Sequence, residues 1–200
     1  MKLPNLSLFA VITILSTTLT VSVKPADSSE DKFFCAQLDG IYRVFSRTER
    51  GSMTVMNFVR QTSEDWTEQK RCVETARRFQ RYYDNDTLRF IRDGEINNQP
   101  VLCAVPSKTE AIDCDSNNLL VTLPPGSDGE AEAQQLMNTN SLMSDVVVEV
   151  SGDEKLADYV NGTTYYDFQV FENIVMHKDE ESNLTNPHLV KEELTPIDSY

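Results

Sequence analysis

Four cysteines are the residues in this 200-residue chain best suited to chemistry: Cys35, Cys72, Cys103 and Cys114. A thiol can serve as nucleophile, metal ligand or half of a disulfide. Their gaps of 37, 31 and 11 positions match no paired C-x-x-C zinc pattern. A catalytic thiol needs a histidine base, and the two histidines, His177 and His188, lie in a polar stretch near the C-terminus. An even count in an exported chain fits structural disulfides. Three pairings are possible. Cys103–Cys114 is favoured, because a short apolar run, a polar loop and a second strand would bring the two together. That leaves Cys35–Cys72, tying a first strand to a helix.

Other reactive patterns are weaker. Gly126-Ser127-Asp128-Gly129 is not the G-x-S-x-G of hydrolases, and a turn with a helix cap is the plainer reading. Asp113-x-Asp115-x-Asn117 resembles the start of a calcium loop. Its sixth position is Asn118, where the EF-hand requires Gly, and its twelfth is Pro124, where it requires Glu. Asp113 and Asp115 therefore remain only a loose Ca²⁺ candidate, and no metal site is expected. Neither G-x-G-x-x-G nor G-x-x-x-x-G-K-[ST] occurs, so no cofactor is expected. Asn85, Asn161 and Asn183 begin glycosylation sequons. Lys70, Arg77, Arg78 and Arg81 form a basic stripe. Read plainly, that is a solvated helix face. Read functionally, it is a contact for anionic head groups, an acidic partner or the chain's own acidic tail.

These residues need elements to hold them. Residues 33–35, 41–45 and 54–59 are β-prone, with a turn at Arg50-Gly51-Ser52, and predict an antiparallel meander. Thr67 is a candidate N-cap. Cys72, Ala76, Phe79 and Tyr83 then fall at i, i+4, i+7 and i+11, one apolar helical stripe. Glu74 is placed to pair with Arg78. The helix should stop near Asn85. Residues 88–92 read as a strand or short helix, Asp93-Gly94 as a turn, and 100–105 and 119–123 as strands. A second helix is expected over 129–142, capped by Ser127 or Asp128, with Ala133, Leu136 and Met137 inward. Residues 145–150 and 165–171 look like strands.

Charge excludes one class of function. Eighteen basic against 32 acidic residues give −14, with pI near 4.5, so nucleic-acid binding is not expected. Residues 33–128 hold 12 basic and 14 acidic residues, while 129–200 hold 3 and 15. The acid excess belongs to the C-terminal third. At the other end, residues 3–23 are uncharged around a short apolar run, 8–15. Eight residues are too few for a span of ~20, but suit the core of a secretory signal. The expected organisation is a signal peptide over 1–26 with cleavage near 22–26, and a flexible mature N-terminus over 27–32. A domain over 33–175 and an acidic disordered tail over 176–200 follow.

Several segments in order resemble one family. They are Phe33-Phe34-Cys35, the run Arg71-Cys72 to Arg78-Phe79-Gln80, then Asn85-Asp86-Thr87-Leu88. I-N-N-Q-P-V-L-C-A-V over 96–105 and L-L-V-T-L-P-P-G-S-D over 119–128 continue the series. Over about 33–140 the chain resembles the cyanobacterial circadian oscillating protein family of the twenty-three-kilodalton type. The resemblance implies an exported protein, membrane-associated without spanning, and no known catalytic residues.

The expected fold is α+β: a small antiparallel sheet with one main helix packed on it, a second helix and two disulfides. The expected function is that of a non-enzymatic exported protein that binds a membrane surface or an envelope partner. Its place would be the periplasm, thylakoid lumen or exterior. The second expectation is a periplasmic or lumenal enzyme with a cleft lined from residues 84–118, or a ligand- or ion-binding module.

Overall fold

The computed structural model describes residues 30–49, 51–59, 64–110, 112–141, 155–173, 189–190 and 192–197. The expected signal over 1–26, the expected strand over 145–150 and both histidines lie outside them.

The chain opens as a meander. Strands β1 (Phe33–Leu38), β2 (Ile41–Thr48) and β3 (Gly51–Phe58) pair antiparallel in sequence order. Asp39 and Gly40 both have positive φ, 52° and 77°, and make a two-residue hairpin between Leu38 and Ile41. Asp-Gly favours that turn because both central positions need left-handed backbone. At the second hairpin the Thr48 hydroxyl donates to Gly51 O at 2.7 Å.

Helix α1 (Glu68–Asp84) follows. Thr67 caps it, its hydroxyl accepting from Lys70 N, and Asn85 ends it. Its buried residues are Cys72, Thr75, Ala76, Phe79 and Tyr82. Tyr83 was expected in that row but is 42% exposed, while Tyr82 is 4% exposed. Tyr82 turns toward the second sheet, where its hydroxyl donates to Leu119 O at 3.2 Å. Tyr83 lies at the end of the helix, touching Phe33 only by its ring edge at 5.8 Å.

Strands β4 (Phe90–Ile96), β5 (Gln99–Val105) and β6 (Leu119–Thr122) build a second antiparallel sheet. Asp93-Gly94 is not a turn but mid-strand. The hairpin closes at Asn97-Asn98, whose φ values of 51° and 62° fit it. Helix α2 (Gly129–Ser141) is capped by Asp128, which accepts from Ala131 N, and buries Ala133, Leu136 and Met137. Strands β7 (Ala157–Val160) and β8 (Thr163–Asp167) complete the sheet, in the order β6-β5-β4-β8-β7.

Residues 165–171 do not continue as one strand. After Asp167 the chain turns into a short helix α3 over 168–173. The Asp167 carboxylate accepts from Gln169 N and Val170 N, each at 3.0 Å, and pairs with Arg89 at 2.7 Å. An aspartate that caps is the reason alternation stops there. The turn delivers Phe168 and Phe171 to the core. There Phe33, Phe79 and Phe168 meet at centroid distances of 5.3 to 6.1 Å.

The acidic tail was expected to be disordered over 176–200. Its described part is instead docked. Strand β9 (Leu189–Val190) pairs with β3 at Ser52 and Met53. Val190 and Leu194 cover Phe34, Ala36 and Phe45, and Ile197 N donates to Cys35 O at 2.8 Å. The outer face of the first sheet is apolar, so burying it outweighs the polarity of the intervening residues.

The α+β class stands, with the strands divided between two sheets, β1-β2-β3-β9 and β6-β5-β4-β8-β7, rather than one small one. The disulfides are Cys35–Cys72, joining β1 to α1, and Cys103–Cys114, joining β5 to the loop before β6.

Candidate functional site

Helix α1 concentrates positive charge on an acidic chain. Within its 17 residues lie Lys70, Arg71, Arg77, Arg78 and Arg81. The stripe expected from the sequence splits in space. Lys70, Arg77 and Arg81 are exposed, and Arg78 is half-buried. Lys70 sits 4.9 Å over the Trp66 ring and donates to Asp65 O at 3.0 Å. Arg81 lies 4.7 Å over the Tyr82 ring. Glu74 pairs with Arg78 at 3.1 Å, as its spacing indicates, and also with Arg77 at 2.7 Å.

Arg78 points sideways rather than outward. Its Nη1 donates to Leu120 O at 3.3 Å. Arg71, seven residues earlier on the same helix face, donates to Thr122 O at 3.1 Å. With the Tyr82 hydroxyl on Leu119 O, three α1 side chains at i, i+7 and i+11 cap carbonyls of β6. An exposed strand edge invites pairing with other chains, and these donors close it. Burial pushes the Arg71 guanidinium below its usual pKa, against a smaller opposing effect of Glu68.

Beside these arginines the surface is concave. One depression of about 320 Å³ is lined by Trp66, Arg71, Glu74, Thr75, Arg78 and Gln99 on one side, with Val121, Thr122, Leu123 and Pro125 opposite. A second, of about 500 Å³, runs between β3 and α2 and shares Arg71, Val121 and Leu123 with the first. Residues 84–118, where the enzyme reading places its cleft, contribute only Gln99 and Leu102 to them. Arg71, Trp66 and Gln99 were not singled out from the sequence. The signal for Arg71 was its seven-residue spacing from Arg78, and for Trp66 its position just before the cap.

The loose calcium candidate is otherwise engaged. Asp115 Oδ1 accepts from Asn117 N at 2.7 Å and Asn118 N at 3.3 Å, and Asn117 Nδ2 donates to Oδ2 at 3.0 Å. Those bonds, the Asn117 backbone first, hold the Asp115 carboxyl below the usual range. Asp113 takes part through its backbone carbonyl, which accepts from Asn118 Nδ2 at 2.9 Å. The loop thus folds on its own carboxylate. Among the described residues no group of three or more His, Cys, Asp or Glu side chains gathers as a metal site. No described helix is long and apolar enough to cross a membrane.

A family described as Circadian oscillating protein COP23 matches residues 32–173. No curated protein and no solved structure matches the chain.

Proposed function

The chain belongs to the circadian oscillating protein COP23 family, and we propose that it works as an exported, non-catalytic protein that attaches to an anionic membrane surface or envelope partner through α1. The observation that carries this reading is the exposure of Lys70, Arg77 and Arg81 on one helix of a chain whose net charge is −14. A basic face on an acidic protein confines attraction to one orientation. Each such residue near an anionic surface contributes roughly 1 kcal/mol, so three give about a hundredfold at low salt. Two disulfides support maturation in an oxidising compartment, whether periplasm, thylakoid lumen or exterior.

The test is fractionation followed by mutation. Protein in isolated membranes should be released by high salt without detergent. A Lys70→Gln, Arg77→Gln, Arg81→Gln triple variant should stay in the soluble fraction. Retention after both salt and carbonate washing would refute electrostatic attachment.

A further inference from the structure

The two depressions that share Arg71, Val121 and Leu123 in their walls differ in chemistry. At the first, Arg78 spends Nε on Glu74 and Nη1 on Leu120 O, while its Nη2 has no partner among the described residues. Trp66 and the half-buried Arg71 stand beside it. A guanidinium that keeps donors after its structural bonds are made is a ready oxyanion ligand. The second depression offers Met56, Val59 and Pro124 as its accessible apolar wall over a buried floor of Val55 and Phe58, with Glu132 and Gln135 also at its wall. Both volumes fall in or near the range of small-molecule sites.

We infer that the Arg71–Arg78 end and the apolar trough beside it form one binding site for an amphiphile, an oxyanion head carrying an apolar chain. The head sits against Arg78, where Glu74 fixes the guanidinium from one side. The chain lies along the trough between β3 and α2. A free carboxylate or phosphate ester and a lipid head group offer the same chemistry. The inference deepens the surface-binding reading and rests on it only for α1 as the binding element.

Trp66 is the only tryptophan in the chain, so its fluorescence reports the site directly. Octyl phosphate below its micelle concentration should shift that emission saturably, with one-to-one stoichiometry by calorimetry. Inorganic phosphate should bind at least tenfold more weakly. Arg78→Gln should weaken octyl phosphate tenfold or more, and Lys155→Gln, before β7 at the far side of the sheet, less than twofold. Because Arg78 also caps β6, Gln99→Phe gives a second probe: it fills the depression from an exposed position and should weaken binding at an unchanged melting temperature. Phosphatidylglycerol vesicles that displace octyl phosphate would assign the head group of a lipid, and vesicles that do not would assign a free amphiphile; both support the site. Absence of saturable binding, or equal weakening by Lys155→Gln and Arg78→Gln, would overturn it. The surface reading survives that result if vesicles still sediment the protein. Loss of sedimentation with octyl phosphate binding intact would sink the surface reading alone.

Discussion

At Gly94 a Cβ would overlap the Cys114 sulfur and lie 2.9 Å from its Cβ. The glycine is there for closeness, not for a turn, and β4 runs straight through it. Gly94→Ala should therefore destabilise the protein by about 1–3 kcal/mol, the usual range for overpacking. Urea unfolding measures this, and the penalty should largely vanish in a Cys103→Ala, Cys114→Gly background, which removes both the sulfur and the Cβ. A penalty that persists there would mean the backbone, not the sulfur, demands glycine. Two carboxylates contribute to the acid limb of stability. Hydrogen bonds from Asn117 lower the pKa of Asp115, and the hydrogen bond from Lys108 is the largest cause lowering that of Asp158. Both groups bind protons more weakly folded than unfolded. Their contribution is present above the ordinary carboxylate range and is lost as pH falls through the depressed values. Melting temperature followed from about pH 5 to about pH 2 should fall less steeply in an Asp115→Asn, Asp158→Asn variant than in the parent.

At the scale of elements, helices were easier to read than strand connections. Helix α1 begins and ends where Thr67 and Asn85 say it should, because capping is a local bond between neighbours. The β2–β3 turn fell next to Gly51 as expected, but the β4–β5 turn was misplaced. Asp39-Gly40, Asn97-Asn98 and Asn161-Gly162 all carry the paired positive φ of a tight turn, whereas the turn was expected at Asp93-Gly94. A glycine's smallness and its flexibility look alike in one dimension, and only the packed sulfur at Cys114 tells them apart. The docked C-terminal strap was also illegible. Its cover for Phe34 and Phe45, rings stacked at 5.6 Å, comes from residues far along the chain. Leu194→Asp should uncover that face, lowering the melting temperature and raising binding of a hydrophobic dye. An unchanged melting curve would mean that the strap contributes nothing.

The described residues are held by two sheets, a shared core and two covalent links. Cys35–Cys72 spans 37 positions and joins β1 to α1 inside the main core, while Cys103–Cys114 spans 11 and fastens a loop. Restricting the unfolded chain gives roughly 3–4 kcal/mol for the longer link and about 3 for the shorter. Replacing Cys35 and Cys72 by alanine should thus lower the urea midpoint more than replacing Cys103 and Cys114. The first pair also leaves a buried gap, since both residues are 2% exposed or less. The reverse order would show that the loop, not the helix, limits unfolding.

Composition, spacing and caps alone determined the α+β class, the favoured cysteine pairs, the limits of α1 and the inward face of α2. Each depends on neighbours in sequence or on a period that the sequence displays. The family followed from the order of short segments, which is also a linear property. Tertiary structure alone decided that the strands form two sheets, that Arg71 and Arg78 close the edge of β6, and that a concave surface opens beside them. Those outcomes depend on which side of a helix meets which strand edge, and residues 51 and 42 positions apart carry no mark of that meeting until the core has packed.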